Sequence, residues 1–429
     1  MKDETVMRTF PLNAVLAALL LSGASAMAQT AAAPAPAAAA SAPSGPTVRP
    51  EMGKHLVEAQ TLLNEKKYAQ SKEKLQLASA LADKLPYENY LITLLSLNVA
   101  VNEDDAANSS KLMEEMLSLN AVGKWASQAD IIAMLQNVGV VQYRAKNYTQ
   151  AAMWTERNLK EGGTSSSVKN VRIQSYLFAN DFQRATALAE EEIALSQKEG
   201  RAPAESYLQI LAQARGQLKD AAGGTRAMEL LVTHYPKADY WQSLVNRLWT
   251  RPDLTPALHL DVFRLGFQVG ALQETSDYAE YIDFAQRGGF SAEALKAYDQ
   301  GAEAGLLGTG DKAETHKKLR AKLAAEVEQD KKTSAADIAN ALKKPNGIAM
   351  VNLGYSLVGQ GQFEKGIELL EKGIAKGLPK RPEDARLHLG IAYALAGQTD
   401  KAKQVFATVS GKEGLDELAR YWTLALRKP

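Results

Sequence analysis

The amino-acid sequence predicts an all-α protein, built as a solenoid of antiparallel helix pairs over residues 51–429. From about Pro50 onward, apolar residues recur at intervals of three and four, which is the helical period. Alternating segments of Val, Ile and Thr, which would predict strands, are scarce. Gly, Asn, Asp or Pro interrupts the helical pattern after roughly every 12 to 18 residues. This rhythm is typical of helices that form pairs and stack along the chain.

Residues 1–28 have the features of a cleavable export signal. Positive charge precedes an apolar segment at residues 12–21, and small residues follow it. The apolar segment is shorter than the roughly 20 residues that a membrane-spanning helix needs. The small residues predict cleavage after Ala28, or alternatively after Ala26, and therefore a protein of the bacterial periplasm without a membrane span after cleavage.

Residues 29–50 consist almost entirely of Ala, Pro, Ser and Gly. Such a segment has no apolar pattern with which to bury surface, and its prolines interrupt any helix. We therefore expect a disordered linker between the signal and the helical region.

The sequence leaves two candidates for the first residue of the signal, Met1 and Met7. Asp3 and Glu4 are unusual in the charged part of a signal, which is why Met7 is an alternative to Met1.

Charge and cysteine content exclude several classes of function. Lys and Arg number 50 and Asp and Glu number 49, so the formal net charge is +1. This balance, without a strongly basic block, does not favour a dedicated nucleic-acid-binding protein. The chain contains no cysteine, which excludes disulfides, thiolate metal sites and thiol nucleophiles.

Within the helical region, one group of residues recurs at a regular spacing. Leu-Gly pairs stand at residues 353–354 and 389–390, and the aromatic residues Tyr148 and Phe182 are separated by a similar distance. These spacings are close to the period of the tetratricopeptide repeat, which is about 34 residues. The sequence resembles this family at Leu353, Gly354, Gly361, Phe363, Leu389, Gly390, Tyr393, Gly397, Ala402 and Phe406.

The resemblance implies a right-handed superhelix of nine or ten helix pairs, with a capping helix at Leu415–Leu426 that shields the last pair. It also implies close helix contacts at Gly354 and Gly390. Residues 311–332 depart from the repeat and predict one unusually long charged helix.

In such a superhelix, the first helices of the pairs line a concave groove that binds partner proteins or peptides. The repeat frame places these candidate partner-binding side chains in the groove: Asn137, Tyr143, Arg144, Asn246, Trp249, Asn352 and Tyr355.

Catalytic and metal-binding motifs are missing. The five histidines do not have the spacing of a metal pair, and the sequence contains neither a nucleophile elbow nor a phosphate-binding glycine loop. Glu205-Ser206 resembles part of the active-site motif of helical lytic transglycosylases, but the downstream motifs of that family are absent. A glutamate shortly after Pro203 is more typical of the first turn of a helix. We expect no catalytic residue, no metal site and no cofactor.

Three functions are compatible with these patterns. The first is a periplasmic scaffold that binds partner proteins or peptides, in particular those of the cell envelope, in its groove. The second is an accessory subunit of a secretion or polysaccharide-export machine. The third is a peptidoglycan or glycan hydrolase on a helical fold, which would need two convergent carboxylates with shifted pKa values in a groove.

Overall fold

The computed structural model of the protein describes residues 46–411 and 414–426. These residues form α-helices and connecting turns, with no strand among them, as the sequence predicts. They cluster into two compact units, of which unit 1 ends at Leu195 and unit 2 begins at Ser196. The predicted export signal and residues 29–45 of the predicted linker lie outside the described residues.

Eight α-helices begin in the described part of unit 1. They are α1 (Pro50–Asn64), α2 (Tyr68–Ala80), α3 (Pro86–Asn102), α4 (Ala106–Gly123), α5 (Gln128–Arg144), α6 (Tyr148–Lys160), α7 (Ser166–Phe178) and α8 (Phe182–Lys198).

Twelve α-helices begin in the described part of unit 2. They are α9 (Glu205–Gln217), α10 (Ala221–His234), α11 (Ala238–Trp249), α12 (His259–Gln268), α13 (Thr275–Arg287), α14 (Ser291–Glu303), α15 (Ala313–Lys343), α16 (Ile348–Gly359), α17 (Phe363–Lys376), α18 (Pro382–Leu395), α19 (Thr399–Phe406) and α20 (Leu415–Ala425).

Within the described residues, one type of turn connects the two helices in eight of the helix pairs. Three residues join the helices, and the middle residue has a left-handed backbone with φ between 53° and 80°. The N–H of the third turn residue donates to the carbonyl oxygen five residues earlier, at 2.8–2.9 Å. This is the hydrogen bond of the Schellman motif, which satisfies carbonyls at the end of the first helix. The middle residues are Lys66, Asp104, Lys146, Asn180, Lys219, Gly289, Gly361 and Gly397.

The spacing of successive turns is not constant along the chain. The turn at Asn180 follows the turn at Lys146 after one period of the repeat, but the interval from Asp104 to Lys146 is longer. One reason is the length of α4, which has 18 residues where α6 has 13. The repeat is therefore less regular than the family resemblance implies.

Between Gly289 and Gly361 the chain inserts α15, a helix of 31 residues in which only Leu323, Val327 and Ala341 are buried. The long charged helix that the sequence predicts is thus confirmed, and it extends further than expected.

Unit 1 includes the first residues that the structure describes. Val48 is buried in its apolar core, and Arg49 forms an ion pair of 2.8 Å with Glu88, whose side chain is fully buried. Burial raises the pKa of Glu88, but hydrogen bonds from Arg49 outweigh it and lower the pKa below its ordinary value. Residues 48–50, which belong to the predicted linker, are therefore part of folded unit 1, and the ion pair holds Arg49 against α3.

The last helix of unit 2 returns to the beginning of that unit. α20 packs against α10 and α12 as well as against its neighbours α18 and α19. Arg251 donates to Glu417 at 2.7 Å, and Arg420 donates to Glu229 at 2.8 Å. The sequence predicts a capping helix that shields the last pair, and α20 contacts both helices of that pair, α18 and α19. α20 also contacts α10 and α12, so it joins the early helices of unit 2 to the last ones and closes this unit on itself.

Glycine lets α16 and α17 approach until their backbones touch. A Cβ at Gly354 would lie 2.7 Å from the carbonyl oxygen of Gly366, and a Cβ at Gly390 would overlap the ring of Phe406. The close helix contacts predicted at both glycines are confirmed.

Among the described residues, no helix combines the length and the apolar character that crossing a membrane requires.

Candidate functional site

A cluster of charged side chains lies buried on the inner side of unit 2. Asp261 and Arg264 stand one helical turn apart on α12, and they are 2% and 5% exposed. Glu293 from α14 and His388 from α18 meet them there. Residues up to 127 positions apart therefore form this cluster, and the closure of unit 2 brings them together.

Arg264 uses its guanidinium to link helices. Its Nε and Nη2 donate to the two carboxylate oxygens of Glu293 at 2.8 and 2.9 Å, which is the bidentate geometry that arginine favours. Its Nη1 donates to Asp261 at 2.6 Å. The Nε2 of His388 lies 2.9 Å from the same Asp261 oxygen. The buried charges thus neutralise one another within the protein.

The electrostatics of the cluster favour its ionised form. Burial raises the pKa of Asp261, but the charges of His388 and Arg264 outweigh it and lower the pKa to about 2. Tyr281 donates to Glu293 at 2.7 Å, and burial together with the negative charge of Glu293 raises the pKa of the Tyr281 hydroxyl far above its ordinary value. Asp261 and Tyr281 keep one protonation state across the physiological range, which suits a structural anchor better than a proton-transfer site.

Two aromatic rings enclose the guanidinium. The Arg264 Cζ lies 4.2 Å from the ring centre of Tyr355 and 4.7 Å from that of Phe290. Such cation–π contacts stabilise a buried arginine that water no longer hydrates. Tyr355 also lies 4.8 Å from the ring of His388. Tyr355, predicted to face an open groove, is instead 4% exposed, because Arg264, Phe290 and His388 pack against its ring.

A cavity of about 190 Å³ lies beside this cluster, between the ends of α12, α14, α16 and α18 and the last helix. Arg264, Glu293 and Tyr281 form its polar side, and the rest of the wall is mostly apolar. Lys296 and Gly359 are exposed at its opening. The remaining lining residues include Phe267, Tyr355, Val358, Phe363, Ile391, Leu395 and Trp422. This cavity is the candidate functional site of unit 2.

Asn352 lines a second and more open cavity of about 350 Å³, between α15 and α16. Asp330, Ser334, Asp337 and Asn340 give it a polar wall. Burial raises the pKa of Asp330 above its ordinary value. Asn352 is exposed, so a partner could reach its amide there.

The predicted partner-binding residues of unit 1 do not share one surface. Asn137 is 4% exposed and belongs to the buried face of α5. Tyr143 is half-buried and donates to Gln174 of α7, while Arg144 is exposed and pairs with Asp104 at 3.3 Å. Of the three, Arg144 presents its side chain most openly to solvent.

The two predicted partner-binding residues on α11 also differ in their exposure to solvent. Asn246 is exposed, but Trp249 is half-buried and packs between helices. Its ring lies 5.1 Å from that of His259 and 4.9 Å from that of Phe263. Trp249 therefore joins α11 to α12, which is a packing role within unit 2.

Glu205 begins α9, as the sequence predicts for a helix N-terminus. Its carboxylate accepts hydrogen bonds from Lys237 and Tyr240, and these bonds lower its pKa below the ordinary value. A glycosidase acid needs the opposite shift, because it must stay protonated near neutral pH. In residues 46–411 and 414–426, no group of three or more acidic or imidazole side chains is placed to hold a metal ion.

The sequence matches no model of a protein family, and no curated protein is similar to it at a significant level. Among solved structures, it is similar to the crystal structure of yeast Tom70, with 14% identity over 88% of this chain and 95% of that chain. The TM-score of this pair is 0.20. The repeated turn and the helix pairs described above define the fold of this chain.

Proposed function

We propose that this protein is an exported, non-catalytic scaffold that binds partner proteins or peptides in a complex of the bacterial cell envelope. The observation that carries the proposal is the repeated helix pair, with the same turn in eight of the pairs that the structure describes. Arrays of this kind present extended surfaces to other proteins, and their function depends on those surfaces. The export signal that the sequence predicts for residues 1–28 supports this location.

In unit 1, a group of aromatic rings offers a surface for a partner. Phe178 is 43% exposed, and its ring lies 5.1 Å from that of Tyr148 and 6.3 Å from that of Tyr143. Aromatic side chains are enriched in protein interfaces, where they contribute much of the binding energy. This group includes Tyr143, which the sequence predicts as a partner-binding residue and which directly precedes Arg144.

A photo-crosslinking experiment in the source cells tests this proposal. A photoreactive amino acid is placed at Phe178 or Asn246, with the exposed residue Lys318 as a control position. We expect discrete adducts with an envelope protein from at least one of the first two positions, and none from the control. The identity of the adduct also distinguishes a general scaffold from a subunit of an export machine.

The opposite outcome would favour the hydrolase. If neither position yields an adduct, and if the purified protein releases peptidoglycan fragments that a Glu205→Gln variant does not release, the scaffold proposal is wrong. We expect no release by either protein, because Lys237 and Tyr240 hold Glu205 in its ionised form.

A further inference from the structure

The cavity beside Arg264 has the size of one large side chain. Its volume of about 190 Å³ is below the roughly 300–1,000 Å³ of pockets that enclose a whole small molecule. Apolar cavities of about 150 Å³ are large enough to bind benzene. A phenyl ring or a branched aliphatic group therefore fits this cavity, and a larger ligand would extend out of it.

The wall of the cavity determines what kind of group it accepts. Phe267, Phe363 and Leu395 are half-buried apolar lining residues, and Trp422 is buried behind them. The polar side does not call for a charged ligand, because Arg264 already donates to carboxylates of the protein. An apolar group can thus enter without leaving a buried charge unpaired.

A positive charge stands at the opening. Lys296 is exposed, and its Nζ lies 5.8 Å from the ring centre of Phe267, which lines the cavity. In the described part of the chain the structure shows no carboxylate paired with Lys296, and Glu293, one helical turn before it, is bound to Arg264. An acidic group next to the bound side chain would complement this charge.

From the size, the wall and the charge we infer that this cavity is an anchor site for one Phe or Leu side chain of a partner protein, with an acidic residue beside that side chain to pair with Lys296. The inference rests on the proposed function, which it makes more specific. Anchor residues that fill a well-packed pocket commonly supply most of the affinity of an interface.

Gly359 provides a way to block the cavity without disturbing the fold. It is the last residue of α16, and a Cβ there would have ordinary contacts, 3.9 and 4.0 Å from the backbone nitrogen and Cβ of Glu293. Because Gly359 lines the cavity, we expect a leucine at this position to occupy part of its volume. Gly216 is the matched control, because it lies near the end of a helix in the same unit with no atom within 4 Å of an added Cβ.

The probe is a fluorescein-labelled peptide, Gly-Asp-Phe-Asp-Gly with blocked ends, and binding to the full chain is followed by fluorescence anisotropy. We expect Gly359→Leu to weaken binding at least tenfold, whereas Gly216→Leu leaves it unchanged. A peptide with Ala in place of Phe should bind as weakly to the natural protein as the Phe peptide binds to Gly359→Leu.

Substitution of Lys296 tests the charge at the opening. Because this residue is exposed, we expect the substitution to leave folding unaffected. Lys296→Glu should weaken the acidic peptide by about two- to fivefold, the range of an exposed ion pair. It should not weaken the peptide in which Asn replaces both Asp residues. Lys318→Glu, another exposed lysine of unit 2, is the control and should leave both peptides unchanged.

Two kinds of result would overturn the inference. One is that the natural protein does not distinguish the Phe peptide from the Ala peptide, or that Gly359→Leu binds as well as Gly216→Leu. The other is that phenylacetate binds in the cavity while no peptide does, which would make the occupant a small organic acid. Neither result contradicts the scaffold itself, whose failure would appear as missing adducts in the crosslinking experiment.

Discussion

Asp261 is a buried carboxylate that the folded protein keeps ionised. Its pKa is lowered from an ordinary value of 3.8 to about 2, because His388 and Arg264 outweigh the cost of burial. A carboxyl group whose pKa is lower in the folded state contributes stability above its unfolded pKa and loses it as the pH falls toward the folded value. This contribution is therefore complete above about pH 5, and about 1 kcal/mol of it is lost by pH 3.

Asp261→Asn should remove this part of the pH dependence. We expect the free energy of unfolding of the variant, measured with urea at pH 5 and pH 3, to fall by about 1 kcal/mol less than that of the natural protein. Asp283, which forms an exposed ion pair with Arg287, provides the matched Asp→Asn control and should leave the pH dependence nearly unchanged. Equal losses in both variants would show that Asp261 is not ionised in the way the cluster requires.

Gly354 is a residue whose missing side chain determines how closely two helices pack. An added Cβ would lie 2.7 Å from the carbonyl oxygen of Gly366 and 2.9 Å from the backbone nitrogen of Leu370, and backbone atoms cannot move aside as a side chain would. We expect Gly354→Ala to destabilise unit 2 by about 1–3 kcal/mol, measured by thermal unfolding. Gly216→Ala, with open space around its Cβ, should be neutral or slightly stabilising. An unchanged melting temperature for Gly354→Ala would contradict the close approach of α16 and α17.

At the scale of the helix pair, the three-residue turn explains which repeats the sequence revealed. Gly361 and Gly397 occupy the left-handed position, and both belong to the units in which the repeat was clearest. Lys66, Lys146 and Lys219 adopt the same backbone without the glycine. Because lysine gives no signal for a left-handed turn, the pairs at Lys66 and Lys146 are recognisable only by Tyr68 and Tyr148 at the start of the second helix. The pair at Lys219 lacks this signal too, since its second helix begins with Ala221.

The same turn predicts a stabilising substitution. A left-handed backbone costs an ordinary residue about 1–2 kcal/mol, whereas glycine adopts it without a steric penalty. Lys146→Gly should therefore stabilise unit 1 by a few tenths of a kcal/mol to about 1 kcal/mol, after the larger entropy of glycine in the unfolded chain is subtracted. Chemical denaturation measures the change. Gly361→Ala, the reverse exchange at the equivalent turn of unit 2, should destabilise, and a loss of stability in Lys146→Gly would show that the turn differs from the one described.

α20 is the element that distinguishes a closed unit from an open solenoid. Trp422 is 2% exposed in the core that α20 shares with α10, α12 and α18. We expect Trp422→Ala to destabilise unit 2 by about 3–5 kcal/mol and to speed amide hydrogen exchange in α10 and α12, far away in sequence. A helix that only capped the last pair would change exchange in α18 and α19 alone. Hydrogen exchange followed by mass spectrometry separates these two outcomes.

At the scale of the whole molecule, the sequence predicted local features well and long-range closure poorly. Helix type, the long charged helix and the glycine contacts depend on residues within one or two helix pairs, so a periodic pattern records them. The repeat frame assigns the candidate partner-binding residues to a groove on the assumption that the helix pairs form an open array. Tyr355 became part of a cavity wall because Arg264 of α12 and His388 of α18 pack against its ring, and no local pattern records those contacts.

The burial of Arg264 in the candidate site also depends on long-range contacts that no local pattern in the sequence reveals. In the sequence, Asp261 and Arg264 are spaced like an exposed ion pair on a helix, which is a common arrangement. Their burial depends on Glu293 and His388, which lie 29 and 124 residues from Arg264 along the chain. The signal in the sequence is a charged pair with apolar residues on both sides, here Leu260 and Leu265. A search for that pattern would identify Asp261 and Arg264 as candidates for burial.

Export is the prediction on which the cellular role of the whole molecule depends. Residues 24–28 contain two overlapping sites with small residues at the first and third positions, and these are the positions that a signal peptidase recognises. The mature protein in the periplasmic fraction should begin at Gln29, or at Met27 if the earlier site is used, and N-terminal sequencing measures this. Ala26→Leu blocks a recognition position of both sites, so it should leave the longer precursor attached to the membrane, whereas Ala39→Leu in the Ala- and Pro-rich segment should not. A full-length chain that stays in the cytoplasm in either case would exclude export and, with it, every envelope partner.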